Sequence, residues 1–285
     1  MNEIAEAPAT AYETRAYFLD RSKRTFAPVR WSFVQQPRGS EVRRSVLSTF
    51  VRNGDRRGLL SYLFILGITS SQQEEGWVTT LDSRVWARCL GTTEDTSSPA
   101  AALGAVGKVL GRLEDRKLIE AERKGRTDIS VFLRREDGSG ATYTRPGKPD
   151  ADLEQESEEE RARDPYLQFP HDFWRSRTHD QIKLPGLAML LVLMCEPAWT
   201  SLPTARMPSW YGWSADTAER GFKELRELGL LSSRERIRKA PAAPLGYTKF
   251  CEYKLALPYR QAPGKGGKPR QPAADPSGGG GETQE

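Results

Sequence analysis

The amino-acid sequence predicts an α+β chain, mainly α, made of two similar units joined by an acidic linker and flanked by disordered termini. Three observations lead there. First, Val106–Arg126 (VGKVLGRLEDRKLIEAERKGR) and Ala218–Arg238 (AERGFKELRELGLLSSRERIR) share one layout: leucines at helical spacing, an apolar pair, then a burst of positive charge. At an offset of 112 positions Leu113 falls on Leu225, Leu118 on Leu230 and Ile119 on Leu231, as if one unit had been used twice. Second, Gly147–Pro165 is polar, carries seven acidic residues between Asp150 and Glu160, and has no apolar periodicity, so it cannot bury enough surface to fold alone. Third, the C-terminal run QAPGKGGKPRQPAADPSGGGGETQE is low-complexity, and the first residues have no apolar core. The expected organisation is residues 1–14 disordered, 15–51 an N-terminal extension, 52–146 the first unit, 147–164 the linker, 165–260 the second unit and 261–285 a disordered tail.

In the first unit Gly58–Ile68 (GLLSYLFILGI) reads as an apolar helix, Trp77–Leu81 as a short extended piece, and Ser83–Leu90 as a second helix with Trp86 and Leu90 on one face. A polar turn leads to a third helix, with Ser98 in the N-cap position, Pro99 in the first turn, and Leu103, Val106, Leu110 and Leu113 as its apolar stripe. Two β-like runs follow, Ile119–Arg123 and Asp128–Arg135, joined by the basic tip KGRT. The second unit repeats the order. Leu184–Cys195 is the buried helix, Trp210–Trp213 covers the turn, and Ser214 caps a helix with Ala218, Phe222 and Leu225 on one face. Leu230-Leu231 opens a strand, residues 232–249 form a long basic loop, and Phe250–Leu257 is the return strand. Tyr166–Trp174 reads as core packing at the entrance of the second unit, whereas Arg21–Gly39 reads as either a strand paired with the first unit or a basic arm.

Three short helices followed by a β-hairpin is the layout of a winged helix, whose third helix lies in the major groove while the hairpin reaches nearby phosphates. Trp86–Pro146 resembles a group of largely uncharacterised helix-turn-helix proteins of GC-rich bacterial genomes. The second unit, from FPHDFWRS through WSADTAERGFKELRELGLL, is similar to winged helices of plasmid replication initiators and related regulators. These resemblances imply a fold and double-stranded DNA as partner. They leave open a transcriptional regulator, a replication initiator of a plasmid or mobile element, and a protein-interaction scaffold.

Helical geometry names the residues expected to touch DNA. With Ala218, Phe222 and Leu225 inward, Asp216, Arg220, Lys223 and Glu227 face outward, and Ser214 and Thr217 stand at the helix start, where a phosphate or base edge is reachable. The outward set of the first unit is Ala101, Ala105, Lys108, Arg112 and Asp115. Its front half offers almost no hydrogen-bonding side chains, so backbone contact through Lys108, Arg112 and the tip residues Arg123, Lys124 and Arg126 is expected instead. In the second hairpin Arg234, Arg236, Arg238 and Lys239 cluster, and the alternation in RERIR puts its arginines on one strand face, the geometry of a phosphate clamp.

Composition narrows the remaining classes. The net charge of +5 is uneven: residues 1–51 carry +3, 52–146 carry +2, 147–164 carry −5 and 165–260 carry +5, so basic blocks flank an acidic spacer. The three cysteines, Cys89, Cys195 and Cys251, show neither disulfide nor zinc spacing, the N-terminus does not read as a signal peptide, and the longest apolar run, Leu187–Cys195, is too short to span a bilayer. A cytoplasmic, nucleoid-associated protein with no membrane contact is expected, either alone or as a homodimer or with another protein partner. Only His171 and His179 offer imidazole, with no hydrolase, metal or P-loop pattern beside them, so neither an enzyme nor a cofactor is expected.

Overall fold

The computed structural model describes residues 7–36, 45–96, 98–147 and 165–260. The chain is α+β, with three small antiparallel sheets among the described residues. The first helix, α1 (Ala11–Arg21), starts inside the stretch expected to be disordered. A reciprocal cap explains this: the Thr10 hydroxyl accepts from the Glu13 amide at 3.2 Å, and the Glu13 carboxylate accepts from the Thr10 amide at 2.8 Å. Strand β1 (Phe26–Arg30), α2 (Trp31–Val34) and α3 (Val46–Arg52) follow.

The first repeat runs α4 (Arg56–Ile68), β2 (Val78–Asp82), α5 (Ser83–Cys89), α6 (Pro99–Asp115), β3 (Ile119–Lys124) and β4 (Asp128–Leu133), with sheet order β2-β4-β3. Ser98 caps α6 by accepting from the Ala101 amide at 3.2 Å. Its buried face is Ala102, Val106, Val109, Leu110 and Leu113, while Leu103 is only half-buried.

The second half begins with β5 (Tyr166–Pro170), α7 (Asp172–Arg175) and α8 (Thr178–Gln181). The second repeat then runs α9 (Leu184–Met194), β6 (Thr200–Ser201), a 3-10 turn (Thr204–Arg206) leading into α10 (Met207–Trp210), α11 (Ala215–Glu227), β7 (Leu231–Lys239) and β8 (Tyr247–Leu255), with sheet order β6-β8-β7. Both repeats place the short early strand beside the last one. The offset of 112 also survives in the backbone. Lys117 (φ 57°) and Gly229 (φ 69°) both turn left-handed after their helices, and the Leu118 and Leu230 amides donate back to Leu113 and Leu225 carbonyls at 3.1 and 2.8 Å. Most of the loop expected over residues 232–249 is strand, paired from Leu231 opposite Leu255 to Lys239 opposite Tyr247. A polar segment exposed on both faces lacks the hydrophobic alternation that marks a strand in sequence.

Helices α9 and α11 pack backbone to backbone. A Cβ at Gly221 would lie 2.5 Å from the Pro185 carbonyl oxygen, so only glycine permits this approach. Glu224 turns toward α9 and caps it, accepting from the Lys183 and Gly186 amides at 2.5 and 3.1 Å. Its charge is therefore directed at α9 and not at the exposed face of α11.

The two halves share one hydrophobic core. β1 pairs antiparallel with β5, Phe26 opposite Pro170 and Arg30 opposite Tyr166, and not with the sheet of the first repeat. Leu167, Phe169, Phe173 and Trp174 are buried in this N-terminal layer. Arg30, almost wholly buried, pairs with buried Glu136 at 2.5 Å and donates to the Thr144 carbonyl at 2.7 Å. From α4, Arg56 donates to the carbonyls of His179 and Ile182 at 2.5 and 2.7 Å. Gly147 and Tyr166, on either side of residues 148–164, lie close together: a Cβ at Gly147 would touch the Tyr166 ring at 2.5 Å. The acidic residues 148–164 and the tail 261–285 lie outside the described residues.

Candidate nucleic-acid interface

Helix α11 buries Ala218, Gly221, Phe222 and Leu225 and exposes Asp216, Glu219, Arg220, Lys223, Arg226 and Glu227. Ser214 supplies the N-cap, accepting from the Thr217 amide at 3.2 Å, and its hydroxyl lies 2.9 Å from that of Thr217. Arg220 pairs with Asp216 at 3.0 Å and Lys223 with Glu227 at 3.8 Å, both across one helical turn and both exposed. Such pairs are worth only about 0.3–0.5 kcal/mol, so they hold neither side chain firmly. The start of α11 thus carries helix N-terminal amides, two hydroxyls and the Asp216 carboxylate, with Arg220 in the next turn.

The second hairpin is a finger whose strand β7 rises roughly 26 Å from Leu231 to Lys239, and every residue of β7 after Leu231 is exposed. Leu231, Tyr253 and Leu255 are its buried anchors. Tyr253 stacks on Phe222 of α11 with ring centres 4.2 Å apart, and burial pushes its phenol up to about 12, which keeps it neutral. Arg234, Arg236 and Arg238 share one face, as the alternation requires, and that face is turned away from α11. Glu252 pairs with Arg234 at 2.7 Å and Arg236 at 3.7 Å. Lys239 and Lys249 lie on the other face, with Lys249 paired to Glu235 at 2.9 Å.

The first repeat differs. Lys108 is exposed on α6 among Gly104, Gly107 and Gly111, where an added Cβ would meet nothing within 4 Å. Arg112, expected as a phosphate contact, is engaged within the fold. Its guanidinium donates from Nε and Nη2 to the two carboxylate oxygens of Asp55, at 3.0 and 3.2 Å, and Arg116 joins the same carboxylate at 3.0 Å. Asp55 also caps α4 through the Gly58 amide at 2.9 Å, so Arg112 ties α6 to the start of α4. At the hairpin tip Arg123 and Arg126 are exposed, and Lys124 pairs with Glu75 at 2.7 Å.

Several contributors lie outside the residues read from sequence. Trp199, at φ 63°, sits under the Arg234 guanidinium at 4.1 Å and the Lys254 ammonium at 4.9 Å, supporting the arginine face. Arg206 is exposed in the 3-10 turn before α10. No motif marks either one. Both histidines are buried and held below their ordinary range, His171 at about 4, chiefly by desolvation. Burial pushes the Cys89 thiol up to about 12. Among the described residues no group of three or more His, Cys, Asp or Glu is placed to hold a metal ion, and no helix is long and apolar enough to cross a membrane.

No protein-family model matches the chain, and no curated protein or solved structure matches it. Its own geometry is what bears on function.

Proposed function

We propose that the chain is a double-stranded DNA-binding protein with two winged-helix units, acting on the nucleoid as a transcriptional regulator. The observation that carries this reading is the double occurrence of one arrangement, a capped helix followed by a β-hairpin that bears exposed arginines, with the same sheet order each time. In the second unit Ser214, Thr217, Arg220 and Lys223 on α11 contact the groove, and this unit supplies sequence preference. Its hairpin finger meets phosphates on both faces when laid along a groove, so Arg234, Arg236 and Arg238 on one side and Lys239 on the other all act as backbone contacts. The first unit offers a smooth Ala/Gly face with Lys108, Arg123, Lys124 and Arg126, and adds affinity with little base readout. Two unlike units in one chain span adjacent half-sites without a dimer.

Mapping bound sites across the genome of the native host tests the reading. Enrichment at promoters is expected. Direct repeats clustered at a replication origin would replace the regulator with an initiator. No enriched site, with a protein partner co-purifying instead, would remove DNA recognition and favour a scaffold.

A further inference from the structure

A cleft of about 150 Å³ lies between α1, α4, the turn after α5, and α7–α8. None of its lining residues belongs to α11 or to either hairpin. Arg15 forms its polar wall and is only 7% exposed. Its guanidinium donates to the Cys89 carbonyl at 2.9 Å, lies 3.1 Å from His179 Nε2, and reaches the Glu94 carboxylate at 3.3 Å. Glu94 is half-exposed, so that carboxylate can swing out to solvent. Gly91 (φ 68°) keeps the approach open, since a Cβ there would sit 2.5 Å from Arg15 Nη2 and 2.8 Å from the Glu94 carboxylate. Asp95 and Asp180 also line the cleft but are paired with Arg57 and Arg177, and two further groups point to an anion. Ser61 is 3% exposed, and its hydroxyl has no hydrogen-bond partner. The Arg56 charge is bonded to carbonyl oxygens and not to a carboxylate. The other wall is apolar, formed by Leu60, Phe64, Leu90 and Trp174.

We propose that this cleft binds a small carboxylate with an apolar body, its oxygens displacing Glu94 from Arg15 and accepting from Arg56 and Ser61 while its body packs on Phe64 and Trp174. The volume matches about five waters, so the ligand is small. Glu94 acts as a resident competitor, which gives the proposal an unusual sign: removing that carboxylate strengthens binding.

Calorimetric titration of the full chain with benzoate, and in parallel with inorganic phosphate, tests the site without DNA. Saturable one-site benzoate binding is expected. Glu94→Gln should tighten it at least about fivefold, the effect of removing one charge about 4 Å away even at the dielectric constant of water. Ser61→Ala should weaken it about tenfold, as loss of a hydrogen bond to a charged group does. Absence of saturable benzoate binding, or affinity unchanged in both variants, would overturn the site. Phosphate binding as tightly as benzoate would overturn the apolar body.

Discussion

Lys117 and Gly229 stand at equivalent left-handed positions, and only the second unit uses glycine there. An L side chain in that conformation costs about 1 kcal/mol, so Lys117→Gly should stabilise the protein by up to about 1 kcal/mol and Gly229→Ala should destabilise it similarly, both read from urea midpoints. Arg112 shows where reading single residues from sequence stops. A helical wheel gives the side chain's direction, but Asp55 comes from 57 positions away, at the start of another helix. Arg112→Ala is therefore expected to cost about 1 kcal/mol of stability and leave the salt slope of duplex binding unchanged, whereas Lys108→Ala should lower that slope by about one unit. His171 sets a pH dependence. Burial favours its neutral form, so the unfolded chain takes up a proton below the ordinary value of 6.5, and the folded chain only near 4. Its contribution is complete above about pH 6.5 and falls as pH drops toward 4, by about 3 kcal/mol in total. His179 acts in the same direction. His171→Leu should flatten the loss of stability between those limits; an unchanged pH profile would show that His171 does not cause it.

The elements most legible in sequence are those with a local signal at each end. Ser98-Pro99 and Ser214 mark the starts of α6 and α11, and Leu-Ile or Leu-Leu marks where each helix gives way to a strand. The finger of the second repeat was half legible: the alternation of RERIR set its arginine face, yet its length and its carboxylate partner depend on pairing with β8. Glu252, opposite Arg234, offsets about one of the two charges it touches. Changing Arg234, Arg236 and Arg238 together to Ala should flatten the salt slope by about two units, one fewer than the arginine count suggests, and Glu252→Gln should steepen it by about one. A slope that ignores both changes would mean that the finger does not meet phosphates.

At the scale of the whole molecule, the repeated units were legible because each is a local run, whereas the layer that joins them was not. β1 and β5 are separated by nearly half the chain, and nothing in FAPVR or YLQFP names the other as partner. The shared core, the β1–β5 pairing and the bonds from Arg56 to the α8 region make the halves interdependent. One cooperative urea transition is expected when fluorescence and circular dichroism are followed together, and two separated transitions would show independent domains. The central claim is that α11 reads duplex sequence while the rest of the surface holds the backbone. Selection of a preferred duplex from a random pool, followed by binding of Arg220→Ala to that site and to unrelated duplex at one salt concentration, tests it most directly. The expected result is a loss of roughly 1–3 kcal/mol on the selected site with little change on unrelated DNA; an equal loss on both, or no duplex selected at all, would contradict it.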